Sequence, residues 1–149
     1  MKLLFDTETQ TQSLSQPNSV NTTDLDRALI QGIAPWQNPI SRDHHVAVYA
    51  DGFPVTLGHR LFVPLWNTPV AIWHAFRVAQ DYGDMLVTRG DAEGYNLGIN
   101  MGRAAGQTVM YPHVHCIPRR LGDCQDPVGG VRGVIPGQAN YRQSTYTKP

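Results

Sequence analysis

Two histidines one residue apart, His113 and His115, are the side chains best suited to chemistry in this sequence. From Thr108 to Ile117 the chain reads as a strand, because apolar and β-prone residues dominate and Gly106 and Pro118 bound it. Side chains alternate along a strand. One face then carries Val109, Tyr111, His113, His115 and Ile117; the other carries Thr108, Met110, Pro112, Val114 and Cys116 and reads as the core side. On that geometry the two imidazoles stand roughly 7 Å apart. Arg119 and Arg120 follow at once, and Asn100 and Gln107 precede. Such surroundings suit an anion, specifically a phosphate attacked by a histidine.

Three readings of the pair compete. The histidines can simply hydrogen-bond on a half-buried strand, but two on one face with arginines behind them are unusual for that role. They can chelate a divalent ion through two imidazoles, a pattern that resembles the first half of the cupin metal motif. That motif needs a glutamate a few residues on, where this chain has Arg119 and Arg120, and two cations beside a dication repel it. The third reading is nucleophilic catalysis. An imidazole, which ordinarily titrates at about pH 6.5, is available in its neutral form at neutral pH. It can displace a leaving group from phosphorus, giving a phosphoramidate that water hydrolyses. Asn100, Gln107, His115 and backbone amides near Gly106 can hold the non-bridging oxygens and assist the leaving oxygen. The neighbours favour this third reading.

The elements that must position the pair are legible in outline. Thr7 to Thr23, rich in Thr, Ser, Gln and Asn, predicts a loose extension. Thr23 is a helix N-cap with Asp24 and Asp26 in the first turn; Leu25, Ala28, Leu29 and Ile30 give an apolar side, and Gly32 ends it. Trp36, in a proline-flanked crossing, is assigned to the core in preference to a ligand base. His45 to Ala50 and His59 to Pro64 predict an antiparallel hairpin with a longer loop. His44, His45 and His59 are read as structural or surface residues. Thr68 and Pro69 open an amphipathic helix with Ile72, Trp73, Phe76, Ala79 and Leu86 on its core side, weakened near Gly83. A further strand, Tyr95 to Met101, turns through Gly102 to Gly106 into the histidine strand.

Composition excludes several classes. The 149 residues predict one domain able to bury a core. Twelve basic residues balance 12 acidic ones, which argues against a nucleic-acid footprint. Cys116 and Cys124 make neither a disulfide framework nor a CxxC zinc pair. No apolar run reaches the roughly 18 residues of a membrane span, and Met1 to Phe5 is too short for a signal peptide. A cytoplasmic protein with no cofactor and no bound metal is expected.

The residues from Asn100 to Val109, leading into His113-Val114-His115 and Ile117-Pro118-Arg119, resemble the histidine triad (HIT) superfamily. The stretch from Asp51 to Pro64 is similar to that family's first hairpin, and Gly129 to Pro136 matches its bacterial members. The resemblance spans roughly residues 44 to 141 in three ordered blocks. It implies an α+β fold: a five-stranded antiparallel sheet with a long helix packed on it, as a homodimer. The corresponding division is an N-terminal extension over 1–40 with a short helix, a HIT-like domain over 41–141 and a tail over 142–149. It further implies a nucleotide hydrolase or transferase attacking the α-phosphate of dinucleoside polyphosphates or nucleoside phosphoramidates. His113 takes the nucleophile's place and His115 that of the group assisting departure. Asn100 and Gln107 fall at phosphate-binding positions and Asp51 at the position that holds the ribose hydroxyls. Thr108 and Tyr111 complete the expected substrate-binding set.

The family's first histidine is replaced by Tyr111, which cannot become a cation near neutral pH. Pro112 removes an N–H that a strand would use. Tyr111 therefore also admits a nucleotide-binding or regulatory protein with weak or no turnover.

Overall fold

The structure is a computed structural model, and it describes residues 22–143. The loose extension predicted over Thr7 to Thr23 lies almost wholly outside the described residues. The first element, α1 (Asp24–Ile30), starts as expected. Thr23 accepts the Asp26 amide while Asp26 reaches back to the Thr23 amide, a reciprocal pair that satisfies two otherwise orphaned donors. The Asp24 carboxylate accepts the amide of Asn67, and Asp26 pairs with Arg42 at 2.8 Å, so both acids tie the helix to segments distant in sequence.

Five strands follow: β1 (Ser41–Arg42), β2 (Val46–Ala50), β3 (Arg60–Pro64), β4 (Gly94–Gly98) and β5 (Val114–Arg119). They form one antiparallel sheet in the order β1-β2-β3-β5-β4. Between β3 and β4 runs the expected long helix, α2 (Pro69–Thr88), capped by the Thr68 hydroxyl on the Ala71 amide. The fold is thus the α+β arrangement that the family resemblance implied. Each face of the sheet has its own core. Val46, Val48, Phe62, Val114 and Cys116 pack under Ala75 and Ala79 of α2. Ala47, Tyr49, Leu61, Val63 and Tyr111 pack under Leu25, Ala28 and Ala34 on the other side. That double cover explains why β2 is buried from Val46 through Tyr49 and does not alternate.

Three expectations need correction. Trp73 is 72% exposed, because the face of α2 that meets the sheet is the small-residue line Ala75, Ala79 and Gly83. Gly83 does not weaken the helix's end; an added Cβ there would lie 2.6 Å from the Tyr95 ring, so the missing side chain makes room for an aromatic. Finally, the histidine strand is shorter than predicted. It begins at Val114, opposite Phe62, and Pro112 lies before it, where no ladder N–H is required. Met110, placed on the core side by alternation, is 49% exposed.

Candidate functional site

Strand pairing brings together residues that are far apart in sequence. Leu61 faces His115 across β3 and β5, while at the hairpin end the Asp51 amide donates to the His59 carbonyl. Asp51, His59, His113 and His115 therefore converge on the sheet face opposite α2. Asp51, His113 and His115 border a cavity of about 480 Å³, with His59 just behind them. Pro35, Trp36 and Gln37 form one wall, Tyr49 to Phe53 a second, and Thr108, Val109, His113 and His115 a third.

His113 is 8% exposed, and its Nδ1 lies 2.8 Å from the Tyr111 carbonyl oxygen. A carbonyl only accepts, so Nδ1 carries the proton and the neutral ring keeps its lone pair at Nε2. The Trp36 ring meets the His113 ring edge-on at 5.1 Å and tilts against Tyr49 at 5.7 Å, holding the imidazole from the side. Trp36 packs on the core, as expected, and also lines the cavity.

His115 sits behind, its ring centroid 5.1 Å from that of His113, closer than regular strand spacing predicts because His113 precedes the strand. Its Nδ1 is 3.0 Å from Nε2 of His59, and Asp51 Oδ2 lies 3.3 Å from the same His59 nitrogen. The other Asp51 oxygen accepts the Phe53 amide at 2.8 Å, which orients the carboxylate. Among the described residues, Nε2 of His115 is the buried side-chain polar atom without a partner. Burial, then the His113 and His59 rings, push the pKa of His115 down to about 4. Burial also lowers that of His59, with the Asp51 carboxylate opposing.

His59 is the member of this cluster that sequence reasoning missed. Taken alone it is an ordinary strand-entry histidine; its partner stands 56 positions away. Asp51, His59 and His115 also form a potential metal group, with one ligand atom each within 4.8 Å of the others. The set suits a divalent transition metal by type, and it does not include His113. The His113–His115 chelate weighed from the sequence is therefore not the geometry found.

The predicted site residues divide between the cavity and its surroundings. Thr108 lines the cavity, as do Asp51, His113 and His115. Gln107 is turned into its own loop, accepting the Gly102 amide at 2.7 Å and donating to the Val109 carbonyl at 3.1 Å. Asn100 is half-buried and does not line the cavity. Tyr111 is 5% exposed and its hydroxyl donates towards the carbonyls of Pro64 and Leu65, so its phenol is structural and does not reach the cavity. The arginines expected near an anion are engaged away from it: Arg119 with Asp123 and Asn96, Arg120 with the carbonyls of Leu57 and Asp91.

Comparison with known proteins adds to this geometry. The HIT domain family matches residues 37–122. Adenylylsulfatase HINT3 of Arabidopsis thaliana is 32% identical over 103 residues, covering 64% of this chain and 52% of its own. The chain thus spans about half the length of that relative. An uncharacterized HIT-like protein of Mycobacterium tuberculosis is 32% identical over 103 residues, covering 64% of this chain and 71% of its own. Among solved structures, a Zn-bound histidine triad family protein from Mycobacterium smegmatis superposes with a TM-score of 0.56 at 33% identity, covering 66% of this chain and 76% of that one.

Proposed function

The chain belongs to the HIT domain family, and from that premise we propose that it is a nucleotide hydrolase or transferase working at an α-phosphate through a nucleotidyl-histidine. One observation carries the proposal. The Tyr111 carbonyl holds the proton of His113 on Nδ1, leaving the Nε2 lone pair on a ring that borders a cavity shared with a carboxylate. On this reading Tyr111 occupies the family's first histidine position and contributes its backbone oxygen, a contribution that any residue can make.

In the first step His113 Nε2 attacks the α-phosphorus, and the bond to the leaving group breaks with its electron pair staying on the departing atom. His115 Nε2 faces that atom. Water then attacks phosphorus, the P–N electron pair returns to His113, and one water proton passes to solvent as the nucleoside monophosphate leaves. Asp51 accepts hydrogen bonds from the ribose hydroxyls. Backbone amides, with Asn100 and Gln107 turned inward on binding, hold the phosphate oxygens. The name of the Arabidopsis relative, an adenylylsulfatase, supports an adenylate substrate, as do the dinucleoside polyphosphates implied by the family resemblance. A homodimer belongs to the same proposal and is read by light scattering.

The test is chromatographic product analysis with a diadenosine polyphosphate and an adenosine phosphoramidate, comparing the native chain with His113→Ala. Release of adenosine monophosphate by the native chain alone supports the proposal; equal release by the variant overturns it. The engagement of Gln107 within its loop favours one other reading, a nucleotide-binding protein with weak turnover. Binding without release supports that one.

A further inference from the structure

His59 and His115 share a chain of hydrogen bonds whose direction is fixed at its far end. The Val55 amide donates to Nδ1 of His59 at 3.4 Å. An amide N–H cannot accept, so Nδ1 holds a lone pair and the His59 proton is on Nε2. The Asp51 carboxylate, 3.3 Å from Nε2, requires the same placement. His59 Nε2–H then donates to Nδ1 of His115 at 3.0 Å, which places the His115 proton on Nε2, the unpartnered atom beside the cavity. Asp51 lies 3.6 Å from His115 Nδ1, too far to draw a proton there.

We propose that His59 is a positioning residue that locks His115 as a neutral Nε2–H donor, so that the site favours leaving groups that depart as anions, such as phosphate or sulfate, over amines that must collect a proton. The inference rests on the α-phosphate chemistry above. A neutral His115 stabilises a developing negative charge through its N–H and keeps its proton, because losing it would leave an imidazolate. A phosphoryl or sulfuryl oxygen leaves with its electron pair and needs only that hydrogen bond. An amine needs the proton itself, and the chain ends on a backbone amide that has none to give. The low pKa of His115 agrees with this arrangement.

Two measurements test it. Nitrogen-15 NMR of the native chain at neutral pH is expected to show His115 with a pyrrole-type Nε2 and a pyridine-type Nδ1; a protonated Nδ1 overturns the proposal whether or not any substrate turns over. The second is the ratio of turnover on adenosine phosphosulfate to turnover on an adenosine phosphoramidate. A positioned general acid contributes roughly 10²-fold or more, so the native ratio should favour the sulfate by about that much. In His59→Leu no donor occupies Nδ1 of His115, so the ring is free to take up a proton there and pass one from Nε2 to the amine, and the ratio should fall at least tenfold. In His59→Gln, which keeps an N–H donor at that place, the ratio should be retained. An unchanged ratio in the leucine variant, with the fold intact by circular dichroism, overturns the proposal. No turnover on either substrate counts against the proposed function, and the NMR result then decides the proton placement by itself.

Discussion

Replacing Tyr111 with Phe separates the two contributions of this residue. The phenol is buried and donates towards the Pro64 carbonyl at 2.9 Å and the Leu65 carbonyl at 3.2 Å. Burial pushes its pKa well above the ordinary value, so it remains an O–H donor at every working pH. Phenylalanine keeps the ring volume, and Leu65 O retains the Leu25 amide at 3.1 Å as a second donor. The loss is therefore one net hydrogen bond plus partial desolvation of one carbonyl, about 1–2 kcal/mol. For a domain of this size that lowers Tm by about 3–8 °C. The backbone oxygen that orients His113 is untouched, so kcat should stay within about twofold. Urea unfolding and steady-state kinetics on the same samples read both quantities. A fall in kcat of about tenfold, worth about 1.4 kcal/mol of barrier, at an unchanged urea midpoint would place the phenol in the chemistry and refute this reasoning.

Three further outcomes are expected. Gly83→Ala gains about 1 kcal/mol of helix propensity but drives a methyl to 2.6 Å from the base of the Tyr95 ring, whose hydroxyl is held by Asp84. Overpacking of about 1–3 kcal/mol outweighs the gain, so the urea midpoint should fall, and a rise would show that the ring yields freely. The depressed His115 pKa makes stability pH-dependent: the unfolded chain takes up a proton below about 6.5 and the folded chain only below about 4. Stability is whole above the upper value and declines by up to about 3 kcal/mol as pH falls to the lower, with His59 adding in the same direction. Melting curves across that window check it, and His115→Gln should flatten the slope. Asp51→Asn removes one acceptor from the carboxylate, and KM for a ribonucleotide should rise about tenfold; an unchanged KM would free Asp51 from substrate contact.

What is legible in the sequence is local. Thr23 with Asp26, and Thr68 with Pro69, announce helix starts through groups at most three residues apart, and both stand as expected. The β2–β3 hairpin follows from β-prone runs around a turn. The histidine strand reads too long because composition cannot reveal where a partner strand ends. Only from Val114 onward does β5 have β3 beside it. Pro118 is tolerated inside β5 for the same reason: its carbonyl accepts the Thr56 hydroxyl beyond the end of β3, a side on which no ladder N–H is called for. His59 escapes because its role depends on a neighbour supplied by the fold. Trp73 is misplaced because a pattern of apolar spacing does not distinguish a close approach through alanine and glycine from one through large side chains.

The β3–β5 pairing also bears on how the molecule comes to be active. Asp51 and His59 arrive on one hairpin and His113 and His115 on another segment, 56 residues separating the two histidines that touch. Closing a loop of that length is entropically unfavourable and must precede any reward from the contacts it makes. The hairpin can form early and still lack half of the site. Recovery of turnover after dilution from denaturant should therefore run with burial of the central strand, later than the first backbone signal, and no fragment ending before Val114 should carry any activity.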